Sequence, residues 1–248
     1  TKHFSMGRAA WEMAYVMPDE KTAYLTDDGT NVGLYMYIAD KAQDLSAGTL
    51  YAAKWNQTAN NDKGGEADLT WVKLGHATDA EIKAIVATKP EFSDIFDTAD
   101  YNTTTNPTTG CPTGFTHTLA GGSSTNECLK VKDTKAAAFL ETRRYAAYLG
   151  ATTEFRKEEG VTYNARDKKL YIAMSEVGKG MTDGKGDINV TKNSCGVVYH
   201  SDVAPSVKDT EGNDINSEMV ATNMKGLVGG TSKTYDENGP FAGYSCDK

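Results

Sequence analysis

Thr153–Ser175 reads TEFRKEEGVTYNARDKKLYIAMS, and its pattern decides the fold class. A charged run leads into two strand-like segments, Gly160–Asn164 and Leu170–Ser175, separated by a polar stretch at Asn164–Lys169. Their β-branched and aromatic residues suit a pleated surface, and Asn and Asp between them suit a turn. Three carboxylates (Glu154, Glu158, Glu159) and two cations (Arg156, Lys157) fill the six residues before Gly160. One reading of that run is a solvated charged turn. In the other, one glutamate points inward where Gly160 lets the backbone approach a bound ion.

The same strand signals recur upstream. Trp11–Val16, Thr22–Thr26, Leu34–Ala39, Thr49–Trp55 and Leu69–Leu74 read as short strands, with Tyr35 and Tyr37 on one face. Pro18–Lys21 is a turn, and Asp27 and Asp28 read as residues that shape a hairpin rather than ligands. Two helices interrupt the rhythm. Thr78–Thr88 opens with Thr78 and Glu81 at capping-box spacing, and Asp133–Leu149 carries Ala136, Phe139, Leu140 and Ala147 on one stripe before Gly150. Between them Tyr101–Glu127 is a polar excursion rich in Thr, Gly, Ser and Asn. Downstream lie a Gly-rich loop at Glu176–Asn193, a strand at Gly196–His200 and a start of another at Glu218–Val220, with no element assigned past Val228. The expectation is an all-β fold with helical insertions, built as a sandwich, barrel or propeller. It is read as one domain over residues 1–248, with the insertion at about 77–150.

Composition excludes several functions. A net charge of −8 argues against a nucleic-acid groove and leaves surplus carboxylates, which suit hard cations. No apolar run reaches the roughly 18–20 residues of a membrane span. Thr1 is not an initiator, so the chain reads as a processed or trimmed product, a reading that leaves room for an export signal already removed. The four cysteines form no Cys-x-x-Cys pair. Cys111 with Cys128 encloses the polar excursion, and Cys195 with Cys246 flanks the C-terminal third, so these are the expected disulfides and imply an oxidising compartment. Four cysteines allow three connectivities, and free thiols are the alternative. Three glycosylation sequons begin at Asn56, Asn102 and Asn189 and matter only in a eukaryotic secretory host. The four histidines are scattered, and no nucleophile elbow, P-loop or dinucleotide fingerprint is present. The sequence specifies no oligomeric state.

Several stretches, in order, resemble the PhoX class of bacterial alkaline phosphatases. They are Ser5-Met-Gly-Arg-Ala-Ala-Trp-Glu12, Tyr24-Leu-Thr-Asp-Asp-Gly29, Leu45–Trp55, Leu149-Gly-Ala-Thr152, Phe155-Arg-Lys-Glu-Glu-Gly160, Leu170–Ser175, Gly186-Asp-Ile188 and Cys195–Tyr199. The resemblance implies a β-propeller, or part of one, exported to the periplasm or cell surface. It also implies a cluster of calcium and iron that hydrolyses phosphate monoesters. Glu12 and Glu159 match positions suited to metal ligation, and strand alternation then turns Glu158 outward. Asp187, with Asp183 in the same Gly-rich loop, is a further calcium candidate. Arg8 is a candidate phosphate clamp, its alternative being an ion pair with Glu12. Trp11 stands where the family has a histidine, and members are longer, with ligands not recognisable here. A non-catalytic secreted propeller that binds or builds is therefore the competing expectation.

Overall fold

The computed structural model describes residues 2–121 and 126–247. The chain first lays down β1 (Trp11–Val16), β2 (Thr22–Asp27), β3 (Thr30–Val32), β4 (Tyr35–Lys41), β5 (Asp44–Ala59) and β6 (Glu66–Thr78). A helical region follows: α1 (Asp79–Ala87), α2 (Phe92–Ile95), β7 (Phe96–Ala99), β8 (Thr116–Thr118), β9 (Glu127–Val131), α3 (Thr134–Leu140) and α4 (Thr142–Tyr148). The last part holds β10 (Phe155–Arg156), β11 (Glu158–Asn164), β12 (Lys169–Met174), β13 (Val197–Ala204), β14 (Val220–Ala221), β15 (Asn223–Gly229), β16 (Thr231–Ser232) and β17 (Cys246–Asp247).

Every residue of β2 is buried, as are the first five of β4, so the central sheet carries a core on each face. Tyr24, Met36 and Ile38 point to one core with Trp55, Trp71, Ile172 and Tyr199. Leu25, Tyr35 and Tyr37 point to the other, against Ile82, Phe139 and Ala146 of the helices. Tyr35 and Tyr37 share a face, as strand alternation requires. By contrast, β12 alternates buried and half-buried residues, as a one-sided strand does.

The strands are ordered β1-β2-β4-β5-β6-β15-β13-β12-β11, all antiparallel, with β14 added to β13. The two end strands, β1 and β11, contact each other, so the sheet curls into a nearly closed barrel-like form. Within it β1-β2-β4-β5 and β11-β12-β13-β15 are four-stranded antiparallel meanders, the unit of a propeller blade. The interior is sealed by rings with satisfied polar tips: Trp71 Nε1 donates to Ala221 O at 2.7 Å, and Tyr199 Oη donates to Gly64 O at 2.9 Å. Phe155 closes edge-on against Trp55, ring centroids 6.0 Å apart.

The mainly β expectation with helical insertions holds, and four local readings change. The strands at Thr49–Trp55 and Leu69–Leu74 extend into the long hairpin β5–β6. The helix at Asp133–Leu149 is two helices, because Glu141 leaves the helical region (φ −128°, ψ 46°). The polar excursion contributes to a three-stranded sheet, β7-β9-β8, and its residues 122–125 lie outside the described residues. Beyond Val228, where no element is expected, β16 pairs with β17. The capping box of α1 forms as read, with Thr78 and Glu81 exchanging bonds. Both expected disulfides are present, Cys111–Cys128 and Cys195–Cys246.

Candidate functional site

The charged run at Arg156–Glu159 packs against the Asp27–Thr30 turn and builds a buried ionic cluster. Phe155 and Arg156 pair with β3, which lays the run across the end of β2. At the β11–β12 pairing, Glu158 faces Met174 and Gly160 faces Ala173, so Glu159 is the extra residue of a β-bulge. The bulge corrects the expected orientation. Without it Glu159 would share a face with buried Val161, two residues on; with it Glu158 takes that face. Glu158 is completely buried, and Glu159 lies outside, its Oε1 2.7 Å from Lys157 Nζ.

Asp27, also completely buried, sits beside Glu158. Arg143 of α4 grips it in bidentate fashion, Nε to Oδ2 at 2.6 Å and Nη2 to Oδ1 at 2.5 Å. The Ala10 amide donates to Asp27 Oδ1 at 3.0 Å, and the Asp27 amide leans on Glu158 Oε2 at 3.4 Å. Glu158 Oε1 and the hydroxyl of buried Tyr35 have no hydrogen-bond partner among the described residues. Burial raises the Asp27 carboxyl although Arg143 pulls it back. Burial, reinforced by the Asp27 charge, pushes Glu158 well above the usual carboxylate range. The cluster therefore sets an ion-paired carboxylate beside a buried carboxyl whose charged form is disfavoured. At its rim Lys157 bridges Asp28 and Glu159, while Arg156 pairs with Glu176 at 2.5 Å and bonds Thr30.

The sequence-read site residues are only partly brought together. Glu12 is exposed on β1, and the register shift between Trp11 and Met13 makes it a bulge residue too. Glu12 and Glu159 thus occupy bulges on the two strands that meet where the sheet closes. Asp187 lies elsewhere: Lys54 Nζ contacts both its oxygens at 2.7 Å, and Thr152 Oγ1 donates to it. Its loop is latched by Glu154, whose oxygens accept the Asp187 and Ile188 amides at 2.8 Å. Glu154 and Asp183 line a polar cavity of about 640 Å³ with Lys179 and Lys185. Burial, offset by the two amides, pushes Glu154 up to about 7. Arg8 is largely exposed and pairs with Glu141 at 3.3 Å, not with Glu12. Asp27 and Asp28 do more than shape a hairpin, since both are ion-paired across the chain.

A calcium site takes six to eight oxygen ligands. Among the described residues no three His, Cys, Asp or Glu side chains are grouped to hold a metal ion. Asp187 is committed to Lys54 and Glu159 to Lys157. These residues alone do not make up a calcium or iron cluster.

Fold and site define a mainly β protein, stapled by two disulfides, with a buried carboxyl cluster at the seam of its sheet. The chain belongs to the alkaline phosphatase PhoX family, whose model matches residues 1–233. It is similar in fold to a solved structure described as Pseudomonas fluorescens PhoX in complex with vanadate, a transition state analogue, with TM-score 0.50 and 16% identity. That similarity covers 90% of this chain and 32% of the PhoX chain, so this chain spans about a third of that protein's length. The neighbour has a β-propeller-like fold. A search of curated proteins found no match.

Proposed function

We propose that this chain forms part of a metal-dependent phosphomonoesterase of the cell envelope, with calcium, and iron beside it, as the metals. The observation that carries the reading is the family match over residues 1–233. The two bulged glutamates on facing strands, Glu12 and Glu159, support it, because bulges re-aim side chains next to active sites. A phosphate monoester is dianionic, so a hydrolase must neutralise charge on the transferring group and activate water; metal ions supply that chemistry when bound. The part this chain plays is positional. Arg143 holds Asp27, Asp27 holds the Ala10 amide at the start of β1, and Glu158 braces the Asp27 amide from β11. Together they fix the two bulges relative to each other. The two disulfides favour an oxidising compartment, which fits the periplasm or cell exterior.

Hydrolysis of p-nitrophenyl phosphate by the complete protein, with Ca²⁺ and Fe³⁺ supplied, tests the proposal. Turnover that is lost on chelation is expected; no turnover with both metals loaded overturns it. The second reading, a non-catalytic secreted binding or structural module, is favoured by the separation of Asp187 from Glu12 and Glu159. Turnover by the purified complete protein separates the two, since a module of that kind hydrolyses no phosphate ester even with metal bound.

A further inference from the structure

Away from the seam, the N-terminal segment and the helices enclose a cavity of about 490 Å³ that the phosphatase reading does not use. Its wall and floor are apolar: Phe4 from the first turn, Ile82 and Val86 from α1, Phe92 from α2, and Phe139 from α3. The N-terminal segment that forms one wall is anchored rather than loose. Asp79 Oδ1 accepts both the Ser5 amide and the Ser5 hydroxyl at 2.9 Å, and the Arg8 amide donates to Thr142 Oγ1 at 2.9 Å. Gly7, at φ +80°, crosses this wall where a Cβ would lie 2.7 Å from both Leu50 and Thr142.

Lys2, Arg8 and Lys89 stand around the lining, against a single carboxylate, Glu141. Glu141 is already engaged twice, by Arg8 Nη1 at 3.3 Å and Arg144 Nη1 at 2.7 Å. Lys2 and Lys89 have no carboxylate partner among the described residues. A chain of net charge −8 thus gathers cations at one apolar opening. Ligand sites are concave, mostly apolar, and given orientation by a few polar groups, at volumes of roughly 300–1,000 Å³.

We propose that this cavity binds an amphiphilic anion, an alkyl or acyl chain carrying one anionic head group. The chain fills the space between Phe4, Ile82 and Phe139, and the head group sits at Lys2 and Lys89. The charge pattern selects this occupant over a neutral lipid, which would leave the lysines without a counter-ion. It goes beyond the phosphatase reading and requires no hydrolysis.

Calorimetric titration of the complete protein with decyl phosphate, decanoate and decanol tests it. Both anions are expected to bind more tightly than decanol, and butyl phosphate, which lacks the chain, more weakly than decyl phosphate. Lys89→Glu, an exposed position, should weaken decyl phosphate about five- to tenfold and leave decanol unchanged. Val86→Trp, at a position already 40% exposed, should narrow the cavity and weaken both anions without unfolding the protein. Tighter binding of decyl phosphate than decanoate assigns a phosphomonoester head group, and the reverse assigns a carboxylate; either supports the site. Equal affinity for decanol and the anions, indifference to Lys89→Glu, or no binding overturns it.

Discussion

Glu158→Gln should make the protein more stable at neutral pH, which is the reverse of what removing a functional carboxylate from a salt bridge would do. Glu158 is completely buried, has no cation partner among the described residues, and faces the Asp27 carboxylate. Its folded-state pKa is raised, by burial first and by Asp27 second, so the folded state favours its protonated form over a wider pH range than the unfolded chain does. The unfolded chain releases that proton near the ordinary carboxylate value of 4.5. Stability from this group is therefore fully present below pH 4.5 and is lost as pH rises toward the folded-state pKa. The slope is at most about 1.4 kcal/mol per pH unit while the folded form keeps its proton, so the wild type loses stability from this residue as pH rises above 4.5. Glutamine has the same shape and stays neutral in both states, so it escapes that loss. Urea unfolding of both proteins at pH 4.5, 5.5 and 6.5 measures the difference. The variant should match or trail the wild type at pH 4.5 and overtake it as pH rises, with unchanged m. Parallel stability curves across the range would refute the raised pKa of Glu158.

Arg143→Met leaves Asp27 buried without its cation and should cost about 3–5 kcal/mol at pH 7 in urea unfolding, with Arg143→Lys recovering only part because it lacks the bidentate fork. Glu154, pushed up to about 7, should titrate near neutrality in carboxyl-resolved NMR, and stability should fall on the order of 2–3 kcal/mol between pH 4.5 and 7; a midpoint near 4.5 would contradict the burial assigned to it. The double variant Cys111→Ala/Cys128→Ala should lose about 3 kcal/mol on the loop-entropy model, since that bridge spans a sequence separation of 17. Non-reducing peptide mapping should recover Cys111–Cys128 and Cys195–Cys246, and four free thiols would remove the argument for an oxidising compartment.

What was legible in the sequence follows from the range of each signal. Strand type, the α1 capping box and the enclosure of the excursion by Cys111 and Cys128 are local, and each formed as read. Which glutamate faces the core depended on a single inserted residue. Alternation from Val161 puts Glu159 inward, and that rule fails only because the bulge adds one residue to β11. Gly160 was the available signal, since a glycine inside a strand often marks a bulge; a Cβ there would meet Ala173 at 3.1 Å. The break at Glu141 was hidden for a similar reason. Thr142 turns its hydroxyl back to Ala138 O at 2.7 Å while accepting the Arg8 amide, a tertiary contact across 134 residues that no helical stripe encodes. Asp27 and Arg143 were missed because their partnership joins β2 to α4, and neither residue is unusual in its own segment.

The buried Glu158, with Oε1 unpaired among the described residues, is costly, and its place in the fold explains why the cost is kept. Strands β1 and β11 end the sheet order and meet without pairing, so nothing in the hydrogen-bond ladder sets their relative position. The buried cluster does so at one end, and Tyr15 Oη, donating to Tyr163 O at 3.4 Å, does so further along. Asp27 reaches the Ala10 amide just before β1, and Glu158 reaches the Asp27 amide from β11. Arg143 ties Asp27 to the helical layer. On the outer side of this brace stand the two bulged glutamates, Glu12 and Glu159. A residue that disobeys the usual rule of polar satisfaction is expected where function, not stability, sets the geometry. If Glu158 were replaced by an apolar residue of similar size, the core would gain in stability. The β1–β11 seam would lose the hydrogen bond from the Asp27 amide to Glu158, leaving Tyr15 Oη donating to Tyr163 O at 3.4 Å across it, and the spacing of the two outer carboxylates would loosen.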